Sequence, residues 1–232
     1  MHDPSVVRAE YEDETGLAAR KAAHVGGEGP DARDVLFEAI AEARPDRILE
    51  VGPGEGELAE RLQFELRAHV VAVDQSARMV ELTRGRGVDA RLGSVEHLEF
   101  DDESFDCVVA AWMLYHVQDL DRAFSEIVRV LRPGGRLVAV TNGLDHLKEL
   151  YELVGRQRVE SSFLAEDADR LLPRYFGRVE RRDAHGWIVF PDAETVQSYV
   201  GSLVLLEGAH VPPVDEPIRA RRLPSIFVAE RA

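Results

Sequence analysis

Cys107 is the only cysteine in 232 residues, so no disulfide can close within the chain and no cysteine cage can hold zinc. A reducing compartment follows. No run of about eighteen apolar residues occurs, and the opening MHDPSVVRAEYEDE has no apolar core of a signal peptide, so neither a membrane span nor a secretion signal is read. A cytoplasmic location is expected. Basic residues are the scarcer charge, 28 against 43 acidic, for a net charge of −15. The field of such a chain repels phosphate backbones and anionic lipid, which argues against nucleic-acid and membrane partners. The arginine groups Arg178, Arg181, Arg182 and Arg219, Arg221, Arg222 are read as solvated surface. The histidines lack the paired spacing with carboxylates that metal sites use, so no metal is expected.

What is present is globular: 45% of the residues are apolar and 31% charged, and the length fits one domain with an elaboration. Between Arg47 and Thr141 short apolar runs alternate with amphipathic stretches, the pattern of parallel strands joined by helical crossovers. Five strands are predicted, at Arg47 to Val51, His69 to Asp74, Val88 to Leu92, Phe105 to Ala110 and Arg136 to Thr141. Leu120, Ala123, Phe124, Ile127, Val128 and Leu131 fall on one helical face. Asp119 or Asp121 can cap that helix, and Arg132-Pro133-Gly134-Gly135 is expected to end it. Val179 to Phe190 reads as extended and Ser225 to Glu230 as a last strand. The division is a single domain over 1–232, with residues 1–30 and 142–223 as lids around a core at 31–141 and a final strand at 224–232.

The segment ILEVGPGEGELAERL sets a buried strand, then Gly52, Gly54 and Gly56, then a helix. Backbone without Cβ atoms can approach a nucleotide-like ligand at the strand's carboxyl end. A dinucleotide-binding loop wants Gly-x-Gly-x-x-Gly and a pyrophosphate on the helix N-terminus. Glu57 occupies the third glycine's place, and Glu55 and Glu57 would repel pyrophosphate. S-adenosylmethionine (SAM) carries no phosphate and has a sulfonium cation, so an acidic neighbourhood including Glu50 suits it. Asp74, twenty-two residues after Gly52, can accept both ribose hydroxyl protons, or else cap the helix that follows it.

Four ordered stretches, LEVGPGEG at 49–56, VAVDQSARMV at 71–80, GSVEHLEFDDESFDCVVAAWMLYHV at 93–117 and LRPGGRLVAV at 131–140, resemble the class I SAM-dependent methyltransferases. The likeness is to their small-molecule, ubiquinone-biosynthesis-like branch and spans residues 47 to 141. It implies a Rossmann-like α/β fold, a mostly parallel seven-stranded sheet with helices on both faces and an antiparallel last strand. It further implies that Glu50, Gly52 and Gly54 line the methionine part of SAM, that Asp74 binds the ribose, and that Gln75 and Met79 flank the adenine. Ser94 and Val95 would read the adenine edge, although the family more often has aspartate where Ser94 stands. Ala111 and Trp112 match the loop that closes over the methionine moiety.

Tyr11 and Arg20 resemble residues that descend over the cofactor, with Arg20 able to pair with its carboxylate. His116 lies where the family often has a histidine beside the methyl-transfer path, as a general base, although it is equally readable as a residue packed at a helix start. Trp187, Phe190, Tyr151 and Phe163 are candidates for an aromatic acceptor pocket. The resemblance implies methyl transfer from SAM to an oxygen, nitrogen or carbon of a small organic acceptor, leaving S-adenosylhomocysteine (SAH), with a homodimer allowed for. An NAD-dependent oxidoreductase and a non-catalytic SAM-binding module are the alternatives.

Overall fold

Strands buried on both faces are what the valine-rich runs of this chain form. In the computed structural model, which describes residues 27–157, 162–203, 206 and 208–232, β1 (Arg47–Val51) lies between β2 (His69–Asp74) and β4 (Phe105–Ala111), parallel to both. β3 (Asp89–Leu92) flanks β2, and β5 (Leu131–Asn142) flanks β4. β9 (Pro224–Glu230) runs antiparallel between β5 and β6 (Arg178–Asp183). The seven-stranded order is β3-β2-β1-β4-β5-β9-β6, the mostly parallel sheet with an antiparallel final strand that the motifs imply. Its order reverses between β1 and β4, and in such sheets ligands bind outside the carboxyl ends of strands at that switch point.

Side-chain alternation along each strand feeds two separate cores. Ile48, Cys107 and Val109 join Leu36 and Ile40 of α1 (Ala32–Ala41), Leu62 of α2 (Glu57–Leu66) and Val80 of α3 (Ala77–Gly85) on one face. Leu49, Val108 and Ala110 join Phe124 and Ile127 of α4 (Leu120–Val130) and Ala168 of α6 (Ala165–Leu171) on the other. Each fully buried Leu, Ile or Phe here contributes roughly 1.5–3 kcal/mol relative to exposure.

α4 starts as read, with the Asp119 carboxylate accepting the Arg122 N–H at 2.9 Å. Its end differs. Leu131 is already extended and already paired with Phe105, and the register then jumps to Cys107 against Arg136. Arg132-Pro133-Gly134-Gly135 therefore loops out of β5 instead of capping the helix. Gly134 takes φ 73° and donates its N–H to the Arg231 carbonyl, and Arg231 donates back to Gly135.

The extended run from Val179 to Phe190 is also two strands in two sheets. Ala184 and His185 interrupt it, and β7 (Gly186–Phe190) turns away to pair with β8 (Ile218–Arg222). This two-stranded sheet, α5 (Lys148–Leu153) and α7 (Ala193–Gly201) enclose a third cluster of Leu150, Ile188, Phe190, Val196, Val200 and Ala220. Part of 142–223 thus forms a small annex with its own core, while α6 and β6 belong to the main layers. This arrangement separates the aromatics expected to form one pocket, except that Tyr151 packs against the same annex cluster as Phe190. Phe163 packs on Phe124 in the main core, Phe190 on Tyr199 in the annex, and Trp187 beneath Arg219 and Arg221.

Candidate cofactor site

The carboxyl ends of β1, β2, β3 and β4 bring the motif residues to one rim of the sheet. Gly52 follows β1 and donates its N–H to the Val73 carbonyl at 2.8 Å; Gly93 after β3 donates to the Asp74 carbonyl at 2.9 Å. The three loop glycines all take positive φ, 69°, 56° and 79°, but for different reasons. A Cβ on Gly52 would stand 2.8 Å from the Met113 side chain, and one on Gly56 would stand 2.8 Å from Thr83. A Cβ on Gly54 would meet nothing within 4 Å. Gly52 and Gly56 therefore serve packing as well as turn geometry, and Gly54 is the bare backbone that faces open space.

Asp74 is folded around by backbone donors: the Ser76 N–H lies 2.8 Å from Oδ1, and those of Gly54 and Gln75 also act on the carboxylate. Burial is the larger influence and raises its pKa above the ordinary aspartate value despite these donors. The helix cap is Ser76, whose hydroxyl accepts from Met79 N–H, so Asp74 is left to brace the glycine loop and face the rim. Gln75 Nε2 donates to Ser94 Oγ at 3.3 Å, which joins two of the residues expected around an adenine. Met79 and Val95, the apolar pair expected there, are both buried.

Ala111 ends β4, and Trp112 after it is held at φ 51°, a left-handed conformation that costs a bulky side chain about 1–3 kcal/mol. Its N–H donates to the Val140 carbonyl and its indole Nε1 to Asn142 Oδ1 at 3.3 Å. These two bonds tie the β4 loop to the carboxyl end of β5. His116 sits in the 3-10 turn Leu114–His116, half-buried, its ring 4.4 Å from that of Tyr115. It is thus in a turn that precedes α4, four residues past Trp112. Tyr11 and Arg20 lie outside the described residues.

Glu50 is the outlier. It sits in the middle of the sheet, opposite Ala72 and Val109, 1% exposed, and its Oε2 has no hydrogen-bond partner among the described residues. Burial, with a smaller push from the Asp74 charge, raises its pKa to about 8. A carboxyl buried without a donor is costly unless a ligand supplies one.

Three residues of the site have no signal in the sequence. Thr83 donates its hydroxyl to the Gly54 carbonyl at 3.1 Å, Met113 packs over Gly52, and Arg86 donates to the Glu55 carbonyl at 2.7 Å. Arg86 also pairs with Glu60 at 2.7 Å and Glu57 at 3.7 Å. Arg86 therefore partly offsets the Glu57 charge expected to repel a pyrophosphate, and the carboxyls that act on each other near the rim are Glu50 and Asp74. Toward the same end of the sheet lies a cleft of about 590 Å³ lined by Glu28, Gly29, His185, Gly186, Trp187, Arg221 and Leu223. Leu223 accepts the Gly143 N–H at 2.8 Å, so the cleft begins beside the end of β5.

The sheet order and its rim have the architecture of the class I methyltransferases. Residues 49–139 match the family model described as "Methyltransferase domain", and this stretch of the chain is a methyltransferase domain of the class I type. It is 41% identical over 133 residues to an uncharacterized methyltransferase of Mycobacterium tuberculosis, covering 55% of this chain and 52% of that one. To a ubiquinone/menaquinone biosynthesis C-methyltransferase of Vibrio cholerae it is 30% identical over 171 residues, covering 67% and 62%. The chain thus spans between half and two thirds of the length of these curated relatives. Its fold is similar to that of a phosphoethanolamine N-methyltransferase of Haemonchus contortus solved with SAH, at TM-score 0.64 and 18% identity over 97% of this chain and 59% of that one.

Proposed function

We propose that this chain transfers a methyl group from SAM to an oxygen, nitrogen or carbon atom of a small organic acceptor. The observation that carries the reading is the buried carboxyl of Glu50 beside Asp74, its Oε2 without a partner among the described residues, at the strand end where Gly54 leaves bare backbone. Glu50 offers an acceptor to the ammonium of the methionine moiety. Asp74 offers one to the ribose hydroxyls, while Gln75, Met79, Ser94 and Val95 surround the adenine. Bound SAM supplies an electrophilic methyl group on sulfur. The chain's part is then to orient an acceptor in line with that carbon and to exclude water.

Trp112, locked to Asn142, closes the methionine end, and His116 in the following turn stands as the base for an acceptor that must lose a proton. The acceptor enters from the cleft beside β5. Its charges are balanced internally, Glu28 by Arg219 and Arg221 by Glu149, which favours a neutral small molecule over a strongly charged one. Titration with SAM, SAH and NAD under thermal denaturation tests the reading, because a ligand specific to the native state raises the midpoint by mass action. SAM and SAH are expected to raise it and NAD to leave it unchanged; stabilisation by NAD alone overturns the proposal.

A further inference from the structure

Resting on that cofactor reading, we propose that Glu50 selects ligands by their ammonium group through a proton exchange: neutral in the empty protein, its carboxyl ionises as the ammonium docks and gives its proton to solvent. The balance is simple. A protonated carboxyl and an ammonium become a carboxylate–ammonium pair plus one released proton, with no bond to carbon or sulfur changed.

The geometry carries this before any titration is considered. Glu50 shares the Ile48 face of β1, and no cation among the described residues acts on it; Arg136 of β5 lies nearer Cys107 on that face and is paired with Glu230 at 3.4 Å. β2 brings Asp74, which repels a second negative charge. β4 brings the Cys107 thiol, which burial keeps neutral up to about 12. On α1 and α2, Asp34 is paired with Arg61, Glu65 with Arg61 and Glu60 with Arg86, all at the outer surface. Glu55 and Glu57 of the loop and first helical residue add acid, not base, and Arg86 is committed to them and to Glu60. An ionised Glu50 in the empty protein would be a buried charge with an oxygen lacking any donor, beside another carboxylate; a neutral one avoids both. The upward displacement of its pKa agrees with this arrangement.

Calorimetric titration of the full chain at pH 7 in phosphate, imidazole and Tris buffers reads the proton directly, from the slope of observed heat against buffer ionisation heat. SAH should release close to one proton per site. 5′-Deoxy-5′-methylthioadenosine keeps the nucleoside and sulfur but lacks the amino-acid part, so it should release markedly less. That comparison removes any proton that Asp74 loses on meeting the ribose, since both ligands carry it. Between pH 6 and 7.5 the SAH Kd should fall by up to tenfold per pH unit, and Glu50→Gln, checked for folding by circular dichroism, should bind SAH more weakly with no proton released. SAH binding without proton release, equal release by the two ligands, or undiminished release by folded Glu50→Gln overturns the inference and leaves the cofactor reading standing. No binding of SAH at all overturns the cofactor reading, and the inference falls with it.

Discussion

At the scale of single residues, the glycine loop contains three positions that look alike in sequence and differ in physics. Gly56→Ala must strain a left-handed backbone and push a methyl group to 2.8 Å from Thr83, so it should cost roughly 2 kcal/mol or more in denaturant unfolding. Gly54→Ala bears the backbone strain alone, roughly 1 kcal/mol, because its added methyl meets nothing. That methyl would occupy space left for the ligand. Gly54→Ala should therefore lose SAH affinity by more than its stability loss explains, and Gly56→Ala should lose stability first. Equal effects of the two on SAH binding would mean that Gly54 is only a turn residue. His116→Ala is expected to leave SAH binding intact and to slow methyl transfer about 10²-fold or more for an acceptor that must be deprotonated; unchanged turnover in a radiolabelled-methyl assay removes it from the chemistry.

At the scale of elements, what was legible was what period and capping chemistry encode. The first five strands stand within one residue of their read limits, except that β5 starts early, at Leu131. The α4 face and the Asp119 cap follow from the spacing of Ala123, Phe124 and Ile127. Removing that cap by Asp119→Ala should cost about 1 kcal/mol of unfolding free energy in a urea titration, whereas Asp121→Ala should cost much less. β8, with the sequence IRARR, was not legible, because a two-stranded sheet covered on one face needs few apolar residues. The split between β6 and β7 was hidden for a related reason: their pairing partners, β9 and β8, begin only at Pro224 and Ile218, far downstream of Asp183 and Phe190. In the site, Glu50, Asp74 and the glycines were readable because strand ends are. Thr83, Met113 and Arg86 reach the loop from other elements, so local pattern holds no trace of them.

At the scale of the whole molecule, an acidic protein is ordinarily expected to gain stability as pH rises from 4, when its paired carboxylates ionise. Asp31, Glu42, Asp89, Glu126 and Asp183 follow that rule, since arginine partners or hydrogen bonds hold their pKa values below the ordinary range. Their contribution is present above the unfolded pKa and is lost only as pH falls below about 4. Glu50 has the opposite sign. Its folded pKa of about 8 lies above the ordinary 4.5, so through this window the native state holds a proton that the unfolded chain has released. Stability from this group is complete below 4.5 and declines, by at most about 1.4 kcal/mol per pH unit, until pH passes 8. Asp74, also raised by burial, contributes with the same sign. The ligand-free protein should therefore melt at falling temperature from pH 5.5 to 8, a range in which the depressed carboxylates are ionised in both states and contribute no slope. Glu50→Gln keeps the shape and removes the proton, so its melting temperature should exceed that of the unaltered protein, and the difference should widen with pH. Differential scanning calorimetry of the pair across that range decides it: a constant difference would mean that Glu50 is ionised in the folded chain, held by a donor that supplies what a bound ammonium would otherwise provide.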